Sequence, residues 1–134
     1  MKKVLVLEDD TVQSSFLAIK LQQNNFDVFC FKTYESAITA IKIDSFDYYF
    51  VDINLGEEKN GIDFIEEVRK KTNAPIIITS DFTLKAELHK KASHLLGYNL
   101  NESEQVFETK NIHFFIKPIP YERLFTKITE LEKV

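Results

Sequence analysis

At 134 residues the chain has room for one ordinary domain, which leads us to expect that any output comes from a partner rather than from an attached DNA-binding or catalytic domain. Its composition, 44% hydrophobic and 28% charged, is that of a water-soluble globular protein, and a formal charge of −4 offers no basic footprint for nucleic acid or anionic lipid. The lone cysteine, Cys30, excludes an internal disulfide and fits a reducing cytoplasm; lying within the apolar stretch 26–31, it is expected to be a buried, inert thiol.

The first element is a short apolar run, Val4 to Leu7, ended by Glu8-Asp9-Asp10, too short for the core of a signal peptide. No segment has the length of a membrane span. Val12, Phe16, Ile19 and Gln23 then recur at helical spacing, with Asp10 or Thr11 placed to cap the helix. A strand near 26–31 and a helix near 34–43 follow. Tyr48 to Val51 forms a second continuous apolar run, closed by Asp52, and Ile76 to Ile78 a third. Such runs predict central parallel strands covered on both faces. Between them a helix near 61–70 carries Ile62, Ile65 and Val68. A helix near 84–96, a strand near 112–116 and a last helix with Tyr121, Leu124, Phe125, Ile128 and Leu131 on one stripe complete five βα units.

This alternation predicts an α/β fold, a doubly wound five-stranded parallel sheet with helices on both faces. One domain spans 1–134. The polar run at about 97–111 breaks the rhythm and reads as an insertion before the last strand, either tuning a partner contact or simply tolerated on the surface.

In such folds ligands bind at the carboxyl ends of the strands. Glu8, Asp9, Asp52, Ser80 and Lys117 all fall there, on four different strands. Each alone has an ordinary reading: the acidic triplet as a helix-capping turn, Ser80 as a turn residue, Lys117-Pro118 as a strand end. Together they point to chemistry. Three converging carboxylates repel one another unless a cation sits among them, and Mg²⁺ suits an all-oxygen set. A hydroxyl and an ammonium at the same point complement a phosphoryl group. With only three glycines, Gly56, Gly61 and Gly97, the chain has neither a P-loop nor a dinucleotide fingerprint. His89, His94 and His113 are not spaced as ligands, and Asn101-Glu102-Ser103, though a glycosylation pattern, has no secretory context.

At these residues the sequence resembles the response-regulator receiver family. The resemblance rests on VLVLEDD at the start, DYYFVDINL and NGIDFIEEVR in the middle, APIIITS next and FFIKPI near the end, and so covers essentially the whole chain. It implies a stand-alone receiver with the flavodoxin-like strand order 2-1-3-4-5. It further implies that Asp52 is the phosphoacceptor, that Asp9 binds Mg²⁺ directly, that Glu8 holds the metal through water, and that the backbone carbonyl of Asn54 is another ligand. Lys117 would pair with phosphoryl oxygens beside a cis Pro118, and Ser80 would donate its hydroxyl while Phe114 fills the space it leaves. Thr79 is an alternative hydroxyl, but Ser80 has the family's spacing from Pro75. A histidine kinase or histidine phosphotransfer protein would be the donor, and the predicted 84–96 helix, the 112–116 strand and the last helix would bind a downstream protein.

Two features depart from the pattern. Asp81 stands where receivers usually carry a small residue, which would slow small phosphodonors or alter the phosphoryl lifetime unless its side chain turns to solvent. The 36 residues between Ser80 and Lys117 exceed the usual spacing. Two other functions share parts of this pattern. A haloacid-dehalogenase-like phosphohydrolase needs an acid two residues after its nucleophile, where this chain has Asn54. A receiver-like module that signals without phosphorylation draws support only from Asp81 and the insertion. The expected role is therefore non-enzymatic: a phosphoacceptor that catalyses its own modification, serving equally as a final switch or a relay intermediate.

Overall fold

The computed structural model describes residues 1–53, 55, 60–80 and 111–133, with the Ser80 side chain left aside. The strands are β1 (Lys2–Leu7), β2 (Phe26–Phe31), β3 (Tyr48–Asp52), β4 (Ile76–Ser80) and β5 (Ile112–Ile116). The helices are α1 (Thr11–Gln23), α2 (Tyr34–Ile43), α3 (Gly61–Lys71) and α4 (Tyr121–Glu132), the last being the final helix of the chain. The helix expected at 84–96 lies outside the described residues, as does the insertion apart from Asn111.

All ladders are parallel and the strand order is β2-β1-β3-β4-β5, as expected. The apolar runs are continuous because alternate residues feed two cores. Leu5, Leu7, Tyr49, Val51, Ile76 and Ile78 pack with Ala37 and Ile41 of α2 and Ile62, Ile65 and Val68 of α3. Val4, Val6, Tyr48, Phe50 and Ile77 pack on the other face with Leu17 and Leu21 of α1 and Leu124 and Ile128 of α4. Helices cover both faces, which is what puts the strand ends, rather than a sheet face, at the disposal of a ligand.

Two sequence expectations are corrected. Cys30 is exposed, not buried. It stands on β2, which among the described residues pairs with β1 alone at the edge of the sheet, so an apolar run there does not guarantee burial. In α1, the residues that marked the helical period are not its buried face: Leu17 and Leu21 are, while Val12 is 78% exposed and Phe16 and Ile19 are each 51% exposed. The helix carries apolar residues on two faces, so periodicity identified the element and not its orientation.

At the amino-terminal end of the sheet, the half-buried Arg69 of α3 donates to the carbonyls of Thr72 (3.2 Å), Ala74 (2.9 Å) and Asn111 (2.9 Å). One guanidinium thus ties the end of α3 to the entries of β4 and β5. Replacing it with methionine keeps the stem and leaves those carbonyls without this donor; we expect a loss of about 2–3 kcal/mol in urea unfolding, given that hydrogen bonds to charged groups contribute about 1.5–3 kcal/mol. A loss below about 0.5 kcal/mol, the range of ordinary surface changes, would show that the clamp is dispensable. Among the described residues no helix is long and apolar enough to cross a membrane.

Candidate functional site

Where β1 ends, the chain divides its three acids between two tasks. Asp10 caps α1, its Oδ1 accepting from the amides of Val12 (2.9 Å) and Gln13 (3.1 Å). This frees Glu8 and Asp9 from the capping role and leaves them at the strand end. The Glu8 amide donates to the Phe31 carbonyl at 3.0 Å, and its side chain is buried. Asp9 is exposed, and Asp52, closing β3, is buried. One carboxylate oxygen from each of Glu8, Asp9 and Asp52 lies within 4.8 Å of the others.

Lys117 reaches this cluster from the end of β5, and the Lys117-Pro118 bond that follows is cis, as the resemblance implied. Its Nζ lies 2.5 Å from Glu8 Oε1 and 3.2 Å from Asp52 Oδ2. Burial lowers the affinity of this ammonium for its proton, but the hydrogen bond to Glu8 and the charges of Asp52 and Glu8 outweigh it, so its pKa is raised and it stays charged. For Glu8 burial also acts first and upward, yet its hydrogen bonds with Asp52 and Lys117 and the lysine charge bring the carboxyl below its usual value. Asp9 moves the other way: burial, then its contact with the negative Glu8, raises it.

The donors fit a small hard divalent cation: all are oxygens, two of the three acids are buried, and three carboxylates face one ammonium, leaving negative charge for an ion to offset. The raised Asp9 gives a pH test. An acid must lose its proton to bind a metal, so Mg²⁺ affinity should fall as pH is lowered through the Asp9 titration, beginning at a higher pH than an ordinary aspartate would allow. Calorimetric Mg²⁺ titrations at several pH values, with proton release measured from buffer ionisation heats, check this. Affinity independent of pH through the carboxylate range would remove Asp9 from the ligand set.

The other candidates are placed in part. Ser80 closes β4 with its backbone in register with Ile116, one residue before Lys117, and the alternative Thr79 is buried in register with Asp52. Phe114 is half-buried on β5 against the core shared with α2 and α3. The carbonyl of Asn54 and the side chain of Asp81 lie outside the described residues. Two features escaped sequence reasoning. A cavity of about 470 Å³, rimmed by Val12 and Phe16 of α1 and by Ile119 and Tyr121, adjoins Glu8 and Lys117. Two of the exposed apolar residues of α1, Val12 and Phe16, line it, which a helical pattern could have signalled only with the position of α4 in hand. The second is Asn60-Gly61, whose place against β3 no local pattern reveals. Asn60 caps α3 in a reciprocal pair with Asp63: its Oδ1 accepts from the amides of Ile62 (2.8 Å) and Asp63 (3.3 Å), and its own amide donates to Asp63 Oδ2 at 2.9 Å.

Residues 4–96 match the sequence model of the response regulator receiver domain. The chain belongs to that family. Among relatives, the response regulator ArlR of Staphylococcus epidermidis is 25% identical over 128 residues, covering 96% of this chain and 51% of that protein. The cell cycle transcriptional regulator CtrA of Caulobacter vibrioides is 32% identical over 79 residues, covering 58% of this chain and 34% of that protein. The receiver therefore spans about half, or less, of the length of these relatives. Among solved structures, a two-component response regulator from Clostridium difficile superposes with a TM-score of 0.75 at 19% identity, covering 99% of this chain and 97% of that one. A CheY-like receiver domain from Methylobacillus flagellatus gives 0.71 at 19% identity, with 97% and 98% covered. Both share the fold, and the chain is a receiver domain of two-component signalling.

Proposed function

We propose that this receiver takes a phosphoryl group from a phosphohistidine of a histidine kinase or histidine phosphotransfer protein onto Asp52. The observation that supports this most is the position of the Lys117 ammonium, 3.2 Å from Asp52 Oδ2 and bonded to Glu8, with three carboxylates gathered around one point. In the transfer a carboxylate oxygen of Asp52 attacks phosphorus in line, the P–N bond breaks, and its electron pair returns to the imidazole nitrogen of the donor. An acyl phosphate forms and a histidine ring leaves. Lys117 orients the carboxylate and then faces the phosphoryl oxygens.

Mg²⁺, when bound, shields charge on the incoming phosphoryl group, and Glu8, Asp9, Asp52 and the Asn54 carbonyl would hold it. In this reading Ser80 donates its hydroxyl to the bound phosphoryl group, Phe114 moves into the space vacated, and Asp81 modulates the rate. The surface that includes β5 and α4 then meets a downstream protein, without direct nucleic-acid or membrane binding and in the cytoplasm. The receiver turns over no independent substrate; it catalyses only the gain and the loss of its own phosphoryl group.

The test is to incubate the protein with Mg²⁺ and either a phosphorylated histidine kinase or acetyl phosphate, and to follow intact mass. Addition of one phosphoryl group, abolished by EDTA, is expected. Mg²⁺ binding with no adduct from either donor would instead favour signalling without phosphorylation.

A further inference from the structure

Gly61 opens α3 where that helix meets the strand bearing the acceptor carboxylate. Its amide donates to the Ile53 carbonyl at 3.0 Å. A Cβ on Gly61 would stand 2.2 Å from the Asp52 carbonyl oxygen and 2.8 Å from Ile53 Cα, whereas real Cβ atoms stay beyond 3.0 Å. The obstacle is backbone, so no rotamer can relieve it. Any side chain at this position pushes the first turn of α3 and the end of β3 apart by most of an ångström.

Neither partner in this contact can yield freely. The helix turn is fastened by the Asn60-Asp63 capping box, and its inner face buries Ile62, Phe64 and Ile65. On the strand side, Asp52 is in register with Thr79 of β4 and Val51 with Leu7 of β1. Beyond the contact, the Asp52 side chain is aligned on Lys117. A displacement of the Asp52 backbone is thus passed on to the carboxylate.

We infer that Gly61 is a positioning residue for phosphoryl uptake: by lacking a side chain it lets α3 seat on the Asp52 carbonyl and so sets where the acceptor carboxylate stands relative to Lys117, Glu8 and Asp9. The inference rests on Asp52 being the acceptor. It differs from a packing role because its consequence falls on the transfer step: misplacement by about 1 Å can cost ~100-fold in rate even where folding survives.

The experiment compares Gly61→Ala with Val68→Ala, which empties core space on the same helix, at a residue that is only 1% exposed. Uptake from acetyl phosphate is followed at saturating Mg²⁺ under conditions where circular dichroism shows each variant folded. Gly61→Ala should lower the limiting rate at least tenfold with little change in the KM for acetyl phosphate, while Val68→Ala keeps a rate within about threefold of the wild type. Equal rates in the two variants, with the wild type labelled, would overturn the positioning role alone. Failure to label the wild type with either donor would overturn the acceptor reading, and this one with it. Should Gly61→Ala not fold, Asn60→Ala loosens the same turn without crowding Asp52: a rate lowered threefold or more supports the inference, and an unchanged rate overturns it.

Discussion

Asp52→Asn should abolish phosphoryl uptake while leaving the fold intact. The asparagine side chain is nearly isosteric with aspartate and can still accept from Lys117 Nζ through its carbonyl oxygen, but its amide has no carboxylate oxygen with which to attack phosphorus. The change also removes one of three clustered negative charges from a side chain that is only 9% exposed. Two consequences follow and can be separated. Mg²⁺ affinity should drop, since a ligand charge is lost. Stability in EDTA should stay level or rise, because the cluster carries one negative charge fewer while Lys117 keeps its bond to Glu8. Intact mass reads the first result and thermal unfolding in EDTA the last. A phosphoryl adduct surviving in Asp52→Asn would place the acceptor elsewhere; a variant that loses uptake only because it unfolds would fail the second measurement.

Much of this site could be read from the sequence for one topological reason. In a sheet with both faces covered, apolar runs must stop where the strands emerge, so the polar residue after each run is already at the ligand edge. Val4 to Leu7 followed by Glu8, and Tyr48 to Val51 followed by Asp52, needed no further information to be placed together. What local pattern could not supply is orientation and approach. Helical spacing in α1 named Val12, Phe16 and Ile19, but Leu17 and Leu21 reach the core, because two apolar faces compete and only packing against β1 and β3 chooses. Cys30 looked buried because its neighbours are apolar, yet an edge strand leaves part of its length uncovered. Asp10 illustrates the opposite case: a cap and a metal site are rival readings of one triplet, and the structure uses Asp10 as the cap of α1 while Glu8 and Asp9 cluster with Asp52. Gly61 meets Asp52 across nine positions of chain, and the reason for a glycine there is a backbone contact that exists only in the folded sheet.

Lys117→Met should convert Mg²⁺ from a ligand into a condition for stability. In the present arrangement one ammonium, with its side chain 13% exposed, neutralises two carboxylates whose side chains are 6% and 9% exposed. Removing one partner of a buried ion pair leaves an uncompensated charge and costs about 3–5 kcal/mol in general, much more than the pair is worth against an apolar replacement. Methionine fills most of the lysine's volume, so packing loss is minor and the penalty falls on Glu8 and Asp52. Part of it will be evaded by proton uptake, since without Lys117 the hydrogen bond and the charge by which that lysine lowers the Glu8 pKa both disappear. The instability of the variant in EDTA should therefore ease as pH is lowered into the carboxylate range, whereas the wild type, whose ion pair needs Glu8 ionised, should not gain in this way. Mg²⁺ offers a second route to the same neutralisation. Stabilisation by a ligand grows with its affinity for the folded state, and a site freed of a competing cation should bind Mg²⁺ more tightly. Thermal unfolding with EDTA and with Mg²⁺ should thus show a larger metal-induced rise in Tm for Lys117→Met than for the wild type, while phosphoryl uptake at saturating Mg²⁺ stays lower than wild type because the ammonium facing the transferred oxygens is gone. Equal rises in Tm would mean that Lys117 and the metal do not share the same carboxylates.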